Sequence, residues 1–384
     1  MTILTPKMTF SSPKSDYIIN IFVILQPNPN FPFIMIQFSE YVSLGHPDKV
    51  ADYISQYLLD RYIEKDPQTR YAVEVQIKGA NVTLGGEVTS RAHYDEFQLS
   101  RFVRQAVHEI GYTAAYQDLW GFQNTIADTD IIVNGHISQQ SPDIAQGLTG
   151  WGDQGIFFGF CSGNKSTFGM PYEHTVAKRL CKALFECGLN GVGLDIKTQV
   201  VMADGRITKV IVAVPLLHNG LMKPITDFIR SEVRQKDGAD YELIVNGTGR
   251  YVQHGTVADC GTTGRKLAVD FYGGNCRIGG GSPWTKDGSK ADLTLNLEAR
   301  RMARFFSQQS GTKVYTSLAC CIGKQEVDFN VTDAKGNVIT QGKRDYDPSA
   351  LRQLFRLDKP IYASMCRWGL FGEFQQDKYW EIAL

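Results

Sequence analysis

The chain is predicted to be a mixed helix-and-strand protein, α+β or α/β, on three observations. Short runs with strand-like apolar patterning alternate with amphipathic stretches of helical period. From Met35 onward no low-complexity linker and no solenoid-length repeat interrupts that alternation. A length of 384 residues, 43% apolar and 21% charged, suffices for two or three domains with substantial cores.

The elements follow in order. Residues 1–35 stand apart, because Tyr17-Ile-Ile-Asn-Ile-Phe-Val-Ile-Leu25 is a short apolar run followed by Pro- and Asn-rich sequence. That run is too short to cross a bilayer and no small-residue cleavage site follows it. A disordered or non-native extension is expected there, with Met35 as an alternative start. After Ser39-Glu-Tyr-Val-Ser-Leu-Gly-His-Pro-Asp-Lys49, residues Val50, Ile54, Tyr57, Leu58 and Ile63 recur at helical spacing, and Pro47 suits a first helical position. His46, Asp48 and Lys49 are therefore expected at a helix N-terminus, where backbone N–H groups and the helix dipole favour an anion such as phosphate. Strands are predicted over Tyr71–Lys78, Thr198–Ala203, Lys209–Pro215 and Leu243–Val245. Helices are predicted over Tyr94–Ile110, His174–Cys187, Lys223–Val233 and Leu293–Phe306. Leu267-Ala-Val-Asp-Phe-Tyr272 reads as one more strand.

Composition removes several functions. Lysine plus arginine balance aspartate plus glutamate at 40 each, so no net field recruits nucleic acid or an anionic membrane. The eight cysteines contain no Cys-x-x-Cys pair, and Cys320 and Cys321 are adjacent in an expected strand. Reduced thiols of a cytoplasmic protein are the natural reading, and zinc is not implied.

Chemistry concentrates between Asp259 and Asp292, where glycines, cations and carboxylates are interleaved. A polyphosphate needs close backbone N–H approach, which glycine permits, and fixed positive charge, here Arg265, Lys266, Lys286 and Lys290. Interleaved carboxylates add the means to hold Mg²⁺, which takes one or two carboxylates together with phosphate oxygens and water. A P-loop is disfavoured because its Gly-Lys-Ser/Thr opens a helix, whereas Lys266 leads into the apolar run that reads as a strand. The competing reading is a flexible surface loop with solvated lysines.

Six motifs, in order, carry a resemblance. Gly45-His-Pro-Asp-Lys49, Gly85-Gly-Glu-Val88, Gln140-Ser-Pro-Asp-Ile144, Gly152-Asp-Gln-Gly155, Asp259-Cys-Gly-Thr-Thr-Gly-Arg-Lys266 and Gly279-Gly-Gly281 together resemble the S-adenosylmethionine synthetases, or methionine adenosyltransferases, across roughly residues 37–384. The resemblance implies three similar α+β domains with pseudo-threefold symmetry, over about 36–145, 150–250 and 251–384, with the chain passing between them. It implies ATP and L-methionine as substrates, two Mg²⁺ and a K⁺ at each site, and a homodimer, or a tetramer of two dimers, in which two subunits build each site.

In the implied reaction the methionine sulfur attacks C5′ of ATP, and the released triphosphate is split to pyrophosphate and phosphate. A thioether has no proton to remove, so alignment and stabilisation of the leaving group must carry catalysis, and cations should outnumber bases. By the family's pattern His46 lies at the breaking C5′–O bond, and Asp48 and Asp292 match its magnesium carboxylates. Lys197, Arg265, Lys266, Lys286 and Lys290 match cations around the triphosphate and the substrate carboxylate. Glu74 matches a potassium ligand. Glu87, Gln140 and Asp259 match the methionine site, while Asp153, Asp195, Arg250, Tyr251 and Ser282 fall at nucleotide positions.

The chain also departs from that pattern. Between Ile144 and Gly152 it has only Ala-Gln-Gly-Leu-Thr-Gly-Trp, where the family carries a longer gating loop. A more open site, with weaker substrate binding and readier product release, is expected from such a shortened lid. Tyr251 replaces a usual phenylalanine, Leu44 a frequent acidic residue, and Ser282-Pro-Trp284 a usual Ala-Phe-Ser, while Ile278 precedes the triple glycine. None of these removes a charged reacting group. Two alternatives are a non-catalytic nucleotide-binding relative and another ATP-using enzyme such as a phosphotransferase. The complete set of cations and carboxylates opposes the first, and the lack of a kinase or Walker signature opposes the second.

Overall fold

Three four-stranded sheets carry the fold in the computed structural model, which describes residues 35–139, 150–238, 240–372 and 378–381. In chain order the first half forms β1 (Ile36–Val42), α1 (Pro47–Lys65), β2 (Arg70–Lys78), β3 (Asn81–Thr89), α2 (Glu96–Ile110), α3 (Ala114–Trp120), β4 (Ile132–Ser138), β5 (Gly155–Cys161), α4 (Tyr172–Phe185) and β6 (Lys197–Ala203). The second half adds β7 (Arg206–Ala213), α5 (Met222–Asp237), β8 (Glu242–Val245), α6 (Gly255–Ala258), β9 (Gly261–Thr262), α7 (Leu267–Asp270) and α8 (Ala291–Ser310). It closes with β10 (Val314–Cys320), β11 (Glu326–Asp333), β12 (Val338–Asp345), α9 (Pro348–Leu354) and α10 (Tyr362–Cys366). The class is α+β.

Each sheet is assembled from separated segments. The strand orders are β1-β6-β7-β8, β4-β3-β2-β9 and β12-β11-β10-β5. Pairs are antiparallel except β3–β4 and β7–β8, which are parallel. One face of each sheet is buried under helices, and the period-two pattern shows it: Tyr71, Val73, Val75 and Ile77 of β2 are buried while Glu74 and Gln76 are exposed. Helices α1 and α2 cover the β2–β3 sheet, α4 lies on β1 and β6, and α8 on β5 and β10. The core under α4 and α5 includes Val200, Val210, Val212, Ile225, Ile229 and Val233, and is distinct from the larger core around α1 and α8.

Helix α1 begins as its sequence predicts, with Pro47 in the first turn and His46 as N-cap. It is buried on nearly every side, so it is an interior helix and not a half-exposed one. Helix α2 starts at Glu96, two residues later than its apolar period suggests, because Asp95 and Gln98 form a reciprocal capping box. Tyr94 stays outside the helix and packs its ring edge-on to Tyr62 and Phe102.

The segment after Lys266 is not a strand. Asp270 and Phe271 return their N–H groups to the carbonyls of Lys266 and Leu267 at 3.0 Å, making the single helical turn α7. The apolar alternation that imitates a strand has another cause: Val269, Phe271 and Tyr272 are core residues flanking a buried carboxylate, Asp270. The P-loop remains disfavoured, since the turn is only four residues long and Leu267 stands where a hydroxyl would be needed. Cys320 ends β10 and Cys321 lies exposed beyond it; all eight cysteines are unpaired. No helix among the described residues is long and apolar enough to cross a membrane.

Candidate active site

The site assembles around the start of α1. His46 is 3% exposed, and its Nδ1 accepts the Asp48 N–H at 3.2 Å, which leaves the ring proton on Nε2. Burial first, then the ammonium groups of Lys266 and Lys197, lower its pKa to about 2. His46 is thus a neutral ring with one free N–H, a hydrogen-bond donor and not an acid at neutral pH. Asp48, in the first turn, accepts the Thr262 N–H at 2.9 Å and pairs with Lys266, while Arg265 Nε lies 3.6 Å from its Oδ1. Thr262 comes this near because the neighbouring residue is glycine: a Cβ on Gly261 would overlap the Pro47 carbonyl oxygen.

Asp195 joins this group because it lies near enough to Lys197 and Asp259 to feel both charges. Its Oδ2 accepts Tyr251 OH at 2.9 Å and the Gly255 N–H at 3.0 Å. Oδ1 is buried without a hydrogen-bond partner among the described residues, and burial pushes the carboxyl pKa up. Asp259 is exposed, its Oδ1 accepting the Cys260 N–H at 2.8 Å, and Arg250 is exposed beside Tyr251.

A second group surrounds the start of α8. Lys290 is the N-cap and Asp292 lies in the first turn, paired with Lys286. A Cβ on Gly281 would overlap the Asp292 carboxylate. Lys286 bridges to Ala72 of β2, whose other neighbour in register is Glu87 of β3, so Glu87 lies one strand away from Lys286. Asp153 belongs to the same neighbourhood. Burial, then Asp292, and to a smaller degree Asp153, push the Cys320 thiol up to about 11. Ser282 accepts the Trp284 N–H at 3.2 Å and faces Gly264 of the first group's loop.

Glu74 sits between the two loops. Its carboxylate accepts hydroxyl donors from Thr263 and from Thr285, the latter at 3.0 Å. Among the described residues no hydrogen bond or ion pair joins the charges of the first group directly to those of the second. Gln140 and most of the shortened loop lie outside the described residues. Trp151, which ends that loop, is fully buried and exchanges backbone hydrogen bonds with Lys324 and Gly323 at 3.0 and 2.8 Å, so it is a core anchor and not part of a lid.

Lys49 also differs from expectation. It is buried, and its ammonium is taken up by Asp52 and Asp270, so it offers no charge to an anion at the helix N-terminus. Residue patterning did not single out Asp52, Asp270, Thr263 or Thr285. The signal for Asp270 was a carboxylate inside an apolar run, and for Asp52 its place one turn after Asp48; the threonines gave none.

The oxygen donors fit the cations such a site needs. Asp48 and Asp292 offer carboxylate oxygen suited to a hard divalent ion shared with phosphate, and Glu74 with two hydroxyls offers an all-oxygen environment for a monovalent one. Fold and site together define a class: an α+β protein in which lysines, an arginine and a neutral histidine gather around the starts of α1 and α8, an arrangement suited to a polyanion.

Comparison with known proteins narrows the class. The N-terminal domain model of S-adenosylmethionine synthetase matches residues 35–142, and the C-terminal domain model matches residues 253–382. The S-adenosylmethionine synthase of Oleidesulfovibrio alaskensis is 34% identical over 378 residues, spanning 89% of this chain and 94% of that protein. That of Wolinella succinogenes is 33% identical over 377 residues with the same coverage. A solved structure, described as an unusual S-adenosylmethionine synthetase from Campylobacter jejuni, matches with a TM-score of 0.81 and 28% identity over 90% of this chain and 96% of its own. The chain belongs to the S-adenosylmethionine synthetase family, the methionine adenosyltransferases, which are metal-dependent enzymes.

Proposed function

We propose that the chain joins L-methionine to ATP. The sulfur lone pair forms a bond to C5′, the C5′–O bond breaks, and its electrons leave with the triphosphate, which water then splits into pyrophosphate and phosphate. The observation that carries this reading is the neutral His46, whose Nε2–H is held among Lys266, Lys197 and Asp48. A donor is wanted at an oxygen gaining negative charge, and a group that cannot take up the proton elsewhere keeps donating throughout.

The other residues receive roles by position. Lys197, Arg265, Lys266 and Lys286 are assigned to the triphosphate charge. Asp195, with its unpartnered buried Oδ1, is assigned to a hydroxyl of the nucleoside, and Tyr251, Arg250, Asp153 and Ser282 to the rest of the nucleotide. Glu87, Asp259, Lys290 and Gln140 are assigned to methionine. Asp48 and Asp292 would hold Mg²⁺, two ions in each site, and Glu74 with Thr263 and Thr285 would hold K⁺. When bound, these ions neutralise phosphate charge and orient the chain of phosphates. The eight unpaired cysteines support a cytoplasmic setting.

The lack, among the described residues, of any direct bond between the charges of the two groups supports a homodimer in which the His46 group of one subunit meets the Lys286 group of the other, alone or paired into a tetramer of two dimers. The deciding experiment incubates purified protein with ATP, methionine, Mg²⁺ and K⁺ and quantifies S-adenosylmethionine, pyrophosphate and phosphate. Equal amounts of all three, dependent on methionine and lost in His46→Asn, are expected. ATP binding by a folded protein with no S-adenosylmethionine formed would refute the reaction. Co-refolding inactive His46→Asn with inactive Lys286→Ala should restore about a quarter of parental activity, the share of intact sites in randomly mixed dimers. No restoration would refute shared sites.

A further inference from the structure

Lys49 neighbours Asp48 but is 2% exposed, and its ammonium is used inside the protein. Nζ lies 2.7 and 2.8 Å from the two Asp270 oxygens and 3.2 Å from Asp52 Oδ2. It also lies 4.7 Å from the centroid of the Trp284 ring, within cation–π range. Each partner leads to a different segment. Asp52 Oδ1 accepts the Gly264 N–H at 2.8 Å, holding the loop that ends in Arg265 and Lys266. Asp270 closes α7, and its own N–H is bonded to the Lys266 carbonyl at 3.0 Å. Trp284 donates its Nε1–H to Asp270 Oδ2 at 2.8 Å and stands two residues before Lys286.

We propose that Lys49, Asp52, Asp270 and Trp284 form a buried brace that ties both cation-bearing loops to the first turns of α1 and so presets Lys266 and Lys286, each for the polyphosphate of the site it serves. These are positioning residues; none is placed against substrate. The inference rests on the proposed use of Lys266 and Lys286 as triphosphate ligands. Charges paired out of water hold their geometry because no solvent competes for them, and a missing partner leaves the rest uncompensated. Cations fixed in advance stabilise a leaving group without reorganising as the charge develops, and a displacement of about 1 Å can cost on the order of a hundredfold in rate. Simple packing does not explain the arrangement, since a phenyl ring in place of Trp284 would fill the space but could not donate to Asp270.

Two substitutions test the brace. Trp284→Phe keeps a ring over Lys49 and removes the hydrogen bond; Asp52→Asn keeps an acceptor for Gly264 and removes the charge facing Lys49. Thermal unfolding, kcat, KM for each substrate and calorimetric affinity for Mg²⁺-tripolyphosphate are measured on the full chain. Trp284→Phe should melt within about 8 °C of the parent. Its kcat and tripolyphosphate affinity should each fall about tenfold, with KM for methionine unchanged, and Asp52→Asn should lose more. A folded Trp284→Phe within about twofold of the parent in both quantities overturns the brace, and so does a loss explained by the unfolded fraction alone. If Asp52→Asn does not accumulate, Trp284→Phe decides by itself. A parent that binds tripolyphosphate but makes no S-adenosylmethionine sinks the reaction alone, and the affinities still decide the brace; a parent that fails to bind it overturns both.

Discussion

His46 and Lys49 stand three positions apart and have opposite fates, which shows where a sequence speaks and where it is silent. Pro47 at a first helical position fixes His46 as the cap, so its place at a helix N-terminus is readable locally. Lys49 is buried by Asp270 and Trp284, residues far along the chain, and no local pattern announces such a partner. Tyr251 is a third case. Its nucleotide position was legible from the resemblance, but its hydroxyl also holds Asp195 Oδ2, which phenylalanine could not do. Tyr251→Phe should therefore raise KM for ATP about three- to tenfold, the loss of one bond to a carboxylate, while leaving kcat nearly unchanged. Steady-state kinetics with ATP varied checks this; an unchanged KM would show that Gly255 alone suffices.

At the scale of elements, most helices and strands fall within a few residues of their apolar periods, since burial on one face is what those periods record. The exceptions have local causes: the capping box that delays α2, and the core residues that make α7 look like a strand. Loops are where glycine matters, and two substitutions should behave differently. In Gly261→Ala the new methyl meets backbone, the Pro47 carbonyl, so the β9 segment must move and stability should drop by more than about 2 kcal/mol, read from urea unfolding. In Gly281→Ala it meets the end of a side chain, Asp292, which can swing aside. Unfolding should then be nearly unchanged, while the Mg²⁺ concentration for half-maximal activity rises about tenfold.

For the whole molecule, three buried histidines share one sign of pH dependence. Burial lowers His174 to about 3 and His254 to about 4, and burial with nearby lysines takes His46 to about 2. Unfolded histidine titrates near 6.5, so below that pH the unfolded chain binds protons that the folded state refuses. Their stabilising share is complete above about pH 6.5 and fades as pH falls towards the folded values. Asp60 opposes them: burial pushes its carboxyl up to about 7, so its share is lost as pH rises through that value. His254→Gln should reduce the dependence of unfolding free energy on pH between 6 and 4.5 by about 1.4 kcal/mol per unit, one proton's worth. An unchanged slope would mean that His254 is charged in the folded protein.

The interleaving of the sheets bears on how the protein is made. Strand β1 can pair with nothing until β6 has been synthesised, β5 waits for β10, and β2 gains β9 only after residue 262. At ribosomal speeds of about 5–20 residues per second, the first strand spends on the order of ten seconds or more outside the exit tunnel with its apolar face uncovered. A chain built this way exposes unpaired strand edges for much of its synthesis, and cutting it between β1 and β6 or between β5 and β10 leaves strands without neighbours.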